Sequence, residues 1–198
     1  MKIQLFGHSF VHRLKRFIAD SPEHRFDLGL RQQVMIQYSG ISGATVLRLA
    51  DNLEVVQDFS PDIVFLMVGT NDLFYPHTSP DSLSKEIFRL VEALITSGVR
   101  YVIVSQILHR MDSRFTRFPV DITWFNARVD TTNNLLKDQL SHRYPNKARF
   151  WRLKGFWGTS AKQSAIKRDG VHMSDRGNLK LIRNIQAALV TTLNKVFQ

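Results

Sequence analysis

Residues Asp62–Val68 read DIVFLMV, an apolar run that no polar residue interrupts after Asp62. Continuous runs of this kind are typical of central strands in parallel sheets, because such strands are covered on both faces. Two shorter segments, Lys2–Phe6 and Tyr101–Val104, also predict buried strands. The fold is therefore expected to be built on a parallel sheet.

Two more strands are predicted, one between the first two of these segments in the chain and one after the last. In Leu30–Tyr38, the residues Val34, Ile36 and Tyr38 alternate with polar neighbours, which is typical of a strand with one buried face. Ala148–Leu153 is the last predicted strand. The sheet is thus expected to have about five strands, a common sheet size.

Apolar residues at helical spacing lie between the predicted strands and after the last one. The five stripes are Phe10, Leu14, Phe17 and Ile18; Val46, Leu49, Leu53 and Val56; Leu83, Ile87, Leu90 and Leu94; Ile122, Phe125, Val129, Leu136 and Leu140; and Leu179, Ile182, Ile185, Leu189 and Leu193. The second stripe predicts one helix over Thr45–Val56, and Ser79 followed by Pro80 predicts the start of the third. Lys154–Met173 is predicted to be a long loop. This alternation predicts a three-layer α/β/α sandwich with a five-stranded parallel sheet, flavodoxin-like in layout.

Length and composition narrow the class of protein. The 198 residues suit one compact domain, and no repeat or linker divides residues 1–198. No run is long enough to cross a bilayer. The N-terminal MKIQLFGHSF has too short an apolar stretch for a signal peptide, so we expect an intracellular, cytoplasmic protein. The absence of cysteine excludes disulfides, thiolate nucleophiles and cysteine-bound metals.

The chain is strongly basic, with a formal net charge of +10 and a sequence pI of about 10.2. This balance favours anionic partners such as nucleic acid, an acidic membrane surface or acidic substrates, although a basic protein without such a partner is equally compatible. The candidates for an anionic contact are Arg110, Arg114 and Arg117, in the loop after the fourth predicted strand. Phe150 and Trp151 also stand beside cations, but we expect them in the core.

A serine directly follows the first predicted strand, in the segment Gly7-His8-Ser9-Phe10. Loops at the carboxyl ends of parallel strands form the active sites of such folds. The Ser9 hydroxyl is expected at this edge, and its backbone N–H lies at a helix start, where unpaired donors can receive an anion. The alternative is that Ser9 only caps the helix.

Two further loops at the same edge supply hydrogen-bond donors. The segment ISGAT contains Gly43, which either lets a backbone N–H approach a substrate or merely serves the turn. The segment GTND contains Asn71, whose side-chain amide can donate to a developing oxyanion, although Asn-Asp pairs are also common in turns.

An acid and a base precede the last predicted helix, in Asp169-Gly170-Val171-His172. Neutral histidine can accept a serine proton, and a carboxylate can orient its ring. The alternative is an acidic turn beside an unrelated histidine. Each of the four segments is ambiguous alone, but together they supply a nucleophile, a base, an orienting acid and oxyanion donors, which is the requirement for acyl transfer.

The four segments, in this order, resemble the sequence blocks of the SGNH hydrolases, also called the GDSL family. The blocks read GHSF, ISGAT, GTND and DGVH, and the resemblance spans nearly the whole chain. It implies that Ser9 is the nucleophile, His172 the general base and Asp169 the orienting acid. It also implies an oxyanion hole formed by the N–H groups of Ser9 and Gly43 and the amide of Asn71.

The resemblance leaves three points open. Gly40 is a rival to Gly43, although ISGAT fits the second block better. The family usually has an aspartate where this chain has His8, which either fills that space or shifts the pKa of neighbouring groups. Some LINE-type retrotransposon proteins carry an SGNH-like esterase domain beside nucleic-acid-binding segments, a setting compatible with this basic chain.

The function implied by the resemblance is hydrolysis of carboxylic esters, with acetyl or other short acyl groups and acetylated or lipid-like substrates. No metal or organic cofactor is expected. A second hypothesis is a basic binding module on the same scaffold, for nucleic acid or acidic lipid, with weak or lost catalysis. A nucleotide-binding protein is a third, weaker alternative, because the sequence lacks a G-x-G-x-x-G or P-loop pattern.

Overall fold

A computed structural model describes residues 1–30, 33–111 and 120–196. Its strands are β1 (Lys2–Gly7), β2 (Met35–Gly40), β3 (Ile63–Met67), β4 (Tyr101–Ser105) and β5 (Ala148–Trp151). They form one five-stranded sheet in the order β2-β1-β3-β4-β5, and every neighbouring pair is parallel. The predicted parallel sheet is confirmed.

The run that predicted the sheet lies at its centre. All five residues of β3 are buried, and β3 lies between β1 and β4. In the register of the sheet, Gly7 at the end of β1 stands beside Gly40 of β2 and Met67 of β3. The three strands therefore end at one level, and the loops that follow them start side by side.

Helices cover both faces of the sheet. They are α1 (Ser9–Ala19), α2 (Val46–Ala50), α3 (Glu54–Phe59), α4 (Pro80–Thr96), α5 (Ile122–Arg143), α6 (Thr159–Ala165) and α7 (Asp175–Val196). One apolar cluster joins α1 and α7 to one face of the sheet, and a second joins α2, α4 and α5 to the other. The predicted three-layer α/β/α arrangement is confirmed. Within the described ranges, no helix combines the length and the apolar character needed to cross a bilayer.

Helix α4 begins where the sequence predicted. Ser79 has extended backbone, and its hydroxyl accepts the N–H of Ser82 at 3.0 Å. Pro80 is the first helical residue, where its fixed φ suits the helix and its missing N–H costs nothing.

The second strand begins later than the sequence predicted, at Met35 rather than Leu30, and it extends to Gly40. Leu28 and Gly29 have φ values of 55° and 65°, so the chain makes a left-handed turn there instead of extending. Leu30 is buried in the core although it lies outside the strand, which explains why its apolar character misled the prediction.

The single helix predicted over Thr45–Val56 is wrong, because two short helices, α2 and α3, occupy this region. The break includes Asn52, whose side-chain amide donates to the carbonyl of Arg48 at 2.7 Å. Asparagine side chains compete with the backbone in this way and favour turns over helix interiors.

The long loop predicted over Lys154–Met173 contains a helix, α6, that was not expected from the sequence. Its sequence, TSAKQSA, has no apolar stripe, and only Ala165 is buried. In α7 the predicted face was also partly wrong. Leu179 is exposed, whereas Leu181 is fully buried.

Candidate active site

The three donor loops meet at the carboxyl edge of the sheet, because they follow the adjacent strands β2, β1 and β3. His8 donates its N–H to the carbonyl of Met67 at 3.0 Å, which joins the start of α1 to the end of β3. Asn71 donates its side-chain Nδ2 to the carbonyl of Ala44 at 2.9 Å, which joins the third loop to the second. An amide nitrogen carries two hydrogens, so this bond leaves Asn71 a second one to donate.

Ser9 is the first residue of α1, and the residue that caps this helix is His8. The Nδ1 atom of His8 accepts the N–H of Phe10 at 3.3 Å, which satisfies one of the unpaired donors at the helix start. The alternative that Ser9 merely caps the helix is therefore wrong. Ser9 is half-buried at the sheet edge.

His8 is a buried, neutral histidine, with only 3% of its surface exposed. Burial, together with the nearby charges of Arg110 and His172, lowers the pKa of His8 to about 3. Since Nδ1 accepts a hydrogen bond, the single proton of the neutral ring is on Nε2. The position before Ser9 thus contributes no negative charge to the site.

The two rival glycines differ in their surroundings. A Cβ atom on Gly40 would lie 2.2 Å from the backbone nitrogen of His12, so Gly40 allows β2 to pack against α1. Gly43 has φ of +71°, and a Cβ atom built there would meet nothing within 4 Å. Gly43 therefore has an open, left-handed backbone at the sheet edge, while Gly40 serves packing.

Asp169 and His172 form a hydrogen-bonded pair. Oδ2 of Asp169 lies 2.7 Å from Nδ1 of His172. The other oxygen, Oδ1, accepts the backbone N–H groups of Val171 at 2.9 Å and His172 at 2.8 Å. Burial alone would raise the pKa of Asp169, but these N–H groups and the imidazole bring it below its ordinary value. Asp169 is therefore held as a carboxylate that fixes one ring nitrogen of His172.

Contacts from two sides place the Asp169–His172 segment beside the serine loop. The rings of Phe10 and His172 meet edge to face, with their centroids 6.4 Å apart. Gly170 accepts the N–H of Met111 at 2.8 Å, which ties the segment to the loop after β4. The acid–base pair thus lies next to the first turn of α1.

Arg110, one of the three predicted anion contacts, also lies at this edge. Its Nη2 donates to the carbonyl of Thr70 at 3.0 Å, and its Nε lies 3.4 Å from the Thr70 hydroxyl. The guanidinium carbon stands 4.6 Å from the ring centroid of Phe125. Burial lowers the pKa of Arg110 to about 10, so the group remains charged at neutral pH. Arg114 and Arg117 lie outside the described residues.

Asp72 is a buried acidic residue beside the site, and no role for it was expected from the sequence. Its Oδ1 accepts the N–H of Val46 at 2.9 Å, whereas its Oδ2 is buried without a partner among the described residues. Burial raises the pKa of Asp72 to about 6. Only its place after Asn71 in GTND could have drawn attention to it.

Phe150 and Trp151, which were expected in the core, lie at its margin. Phe156 is 2% exposed, while Phe150 and Trp151 are half-buried and pack against the two apolar clusters. The guanidinium of Arg149 stacks on the ring of Trp151 at 4.5 Å.

The fold and the groups at its carboxyl edge define an α/β enzyme of the acylhydrolase class. The sequence profile of the GDSL-like lipase/acylhydrolase family matches residues 5–180, and the chain belongs to this family. The resemblance seen in the sequence is thereby confirmed, and the protein is a carboxylic ester hydrolase of the SGNH type.

Solved structures share the fold at low sequence identity. A native aryl esterase from M. smegmatis has a TM-score of 0.74 at 18% identity, with 97% of this chain and 99% of that chain covered. A carbohydrate acetylesterase family member from Sinorhizobium meliloti has a TM-score of 0.73 at 16% identity, with 98% and 99% covered. A carbohydrate esterase family 3 protein from Talaromyces cellulolyticus has a TM-score of 0.68 at 20% identity, with 99% of each chain covered. No curated protein sequence matches the chain.

Proposed function

We propose that the protein hydrolyses esters of short acyl groups, with Ser9 as nucleophile, His172 as general base and acid, and Asp169 as the orienting carboxylate. The observation that carries this proposal is the 2.7 Å contact between Asp169 and Nδ1 of His172, in a segment packed against the first turn of α1. An imidazole whose Nδ1–H is held by a carboxylate presents an unprotonated Nε2, which is the form that accepts a serine proton.

The proposed reaction has two halves. Ser9 Oγ attacks the ester carbonyl while Nε2 of His172 takes its proton, and the alcohol then leaves with that proton. A water molecule, activated by His172 in the same way, hydrolyses the acyl-enzyme and restores Ser9. Asp169 stays ionised throughout and stabilises the imidazolium that forms in each half.

Three donors are proposed to hold the tetrahedral oxyanion: the backbone N–H groups of Ser9 and Gly43 and the second Nδ2 hydrogen of Asn71. The bond from Asn71 to Ala44 supports this assignment, because it fixes the amide plane before substrate arrives. Removing one donor of this kind typically raises the barrier by about 2.7–4 kcal/mol.

Short acyl groups, acetyl above all, are the proposed substrates. Two of the structural neighbours are described as a carbohydrate acetylesterase family member and as an acetyl esterase with acetate ion, and these names support the choice.

The test is hydrolysis of 4-nitrophenyl acetate and butyrate by the wild type and by Ser9→Ala. Ser42→Ala is a matched control, since Ser42 is an exposed serine in the neighbouring loop. We expect Ser9→Ala to fall to background and Ser42→Ala to keep wild-type turnover, with acetate preferred to butyrate. Labelling by a fluorophosphonate, which reacts only with an activated serine, provides a substrate-independent readout. An unlabelled, inactive wild type would contradict the proposal and favour the basic binding module.

A further inference from the structure

Arg110 brings a positive charge to the edge of the sheet at which the candidate site lies. Its side chain bonds to Thr70, the residue before Asn71. The next residue, Met111, bonds to Gly170 within the acid–base segment. Arg110 is therefore tied directly to the loop of a proposed oxyanion donor and, through the next residue, to the segment of the proposed acid–base pair.

Nothing among the described residues neutralises this charge. The ion pairs found there involve other groups, and the partners of Arg110 are a carbonyl, a hydroxyl and the rings of Phe74 and Phe125. His8, whose pKa the charge of Arg110 helps to lower, is neutral. The third guanidinium nitrogen, Nη1, has no hydrogen-bond partner in the described ranges, and the residue is partly exposed.

The position of Arg110 is fixed from several directions. Asn126 accepts its backbone N–H at 2.9 Å and donates to its carbonyl at 3.0 Å. Phe125 covers one face of the guanidinium at 4.6 Å. A half-buried cation is unfavourable without a counter-charge, and the described residues supply none to Arg110. A rigid cation of this kind at an active site indicates a ligand that carries the opposite charge.

We infer that Arg110 makes the enzyme selective for esters that carry a second, negatively charged group, such as a free carboxylate, close to the reacting carbonyl. The planar guanidinium matches a carboxylate in shape and in hydrogen-bond direction, and Nη1, which no described residue contacts by a hydrogen bond, can donate to it. This inference rests on the proposed function, because it concerns the substrate of the same site.

The experiment compares kcat/KM for matched anionic and neutral esters. One pair differs on the acyl side: the mono-4-nitrophenyl ester of glutaric acid and 4-nitrophenyl butyrate. The other differs on the alcohol side: 4-carboxyphenyl acetate and its methyl ester. We expect the wild type to prefer the anionic member of at least one pair about tenfold or more. Arg110→Gln should abolish that preference, and Arg110→Lys should retain part of it. The ratio of kcat/KM for the anionic ester to kcat/KM for the neutral ester is informative, because a general loss of structure lowers both values together.

The control is Arg143→Gln, since Arg143 also stacks on a ring, that of Phe88 at 4.6 Å, but at the far end of α5. Arg143→Gln should keep the wild-type ratio of kcat/KM between the anionic and the neutral ester. Sodium chloride should lower kcat/KM for the preferred anionic ester in the wild type but not in Arg110→Gln. Equal rates for both members of both pairs, or an unchanged ratio in folded Arg110→Gln, would overturn the inference while leaving the proposed esterase intact.

A failure of the proposed function would show separately, as absence of both hydrolysis and fluorophosphonate labelling. In that case NMR titration of the wild type and Arg110→Gln with 4-carboxyphenyl acetate still decides the role of Arg110. Binding that depends on Arg110 supports the anion site, and equal or absent binding overturns it.

Discussion

Two buried titratable residues at the site, His8 and Asp72, respond to pH in opposite directions. The folded state keeps His8 neutral down to a pKa of about 3, whereas an unfolded chain protonates it near its ordinary value of 6.5. This difference in pKa stabilises the folded state above pH 6.5. The contribution to the free energy of unfolding, about 5 kcal/mol, is lost as the pH falls from 6.5 towards 3. Asp72 behaves oppositely, because its pKa is raised to about 6 from 3.8. Its contribution makes the protein less stable as the pH rises from 4 to 6, by about 3 kcal/mol.

These two slopes offset each other in the wild type between pH 4 and 6, so single variants should reveal them. We expect His8→Asn, which keeps a capping side chain, to lose stability as the pH rises through this range. Asp72→Asn, which keeps an acceptor for the N–H of Val46, should lose stability as the pH falls. Urea unfolding at pH 4, 5, 6 and 7 measures both slopes, with exposed His142→Asn as the control for removal of a histidine. Parallel pH profiles for the two variants would contradict the assignment.

Among the structural elements, the loops after β1 and β2 allow a test that separates packing from catalysis. Gly40→Ala would force a Cβ atom against the backbone of His12, so we expect a loss of more than about 2 kcal/mol of unfolding free energy. Gly43→Ala has room for its Cβ atom but must keep φ of +71°, which costs about 1 kcal/mol. If Gly43 donates to the oxyanion, Gly43→Ala should also lower kcat, and by more than a loss of about 1 kcal/mol in unfolding free energy can explain.

Chemical denaturation and 4-nitrophenyl acetate turnover, measured on the same samples, test this prediction. A Gly43→Ala protein with wild-type kcat would remove Gly43 from the oxyanion hole. A stable Gly40→Ala protein with strongly reduced kcat would instead favour the rival glycine.

The sequence predicted the elements whose own apolar pattern is unambiguous. The unbroken run in β3 and the stripe of α5, with Phe125, Val129, Leu136 and Leu140 all fully buried, leave little choice of structure. The sequence did not predict the segments in which tertiary packing, and not a local apolar pattern, decides which residues are buried. Leu30 is buried without belonging to a strand, and α6 has almost no apolar face. The ends of the strands, which position Ser9 and Asn71, were nevertheless predictable because a glycine follows or ends each apolar run.

Contacts between distant residues at the site could not be predicted from the sequence. Arg110 and Thr70 are separated by 40 positions, and no local pattern links them. The raised pKa of Asp72 likewise depends on burial of its Oδ2, which arises only when β2 and β3 lie in one sheet. By contrast, the Asp169–His172 pair was predictable, since three residues of separation bring the two groups within reach in a turn.

Across the whole molecule, a chain of three polar groups connects the two helical layers beyond the end of β4. His109 lies 2.7 Å from Oδ1 of Asp130 on α5 through Nε2, and 2.9 Å from Nζ of Lys162 on α6 through Nδ1. Its ring also meets that of Trp157 edge to face, with centroids 4.7 Å apart. Helices α5 and α6 belong to opposite faces of the sheet, and α6 leads into the segment of Asp169 and His172.

We therefore expect Lys162→Met to loosen α6 and, through it, the acid–base segment. Asp130 is largely exposed, so the loss of unfolding free energy should be modest, about 1 kcal/mol. The larger effect is expected on kcat, because small displacements of a catalytic base reduce rates steeply. Lys137→Met, which removes an exposed lysine of α5, should change neither quantity. The rate of hydrogen exchange in the 159–173 backbone should rise in Lys162→Met but not in Lys137→Met. In a double-mutant cycle, the effects of Lys162→Met and Asp130→Asn should not add, because both substitutions break the same chain of contacts. Unchanged exchange together with full activity would mean that the two layers are held together by their apolar clusters and not by His109.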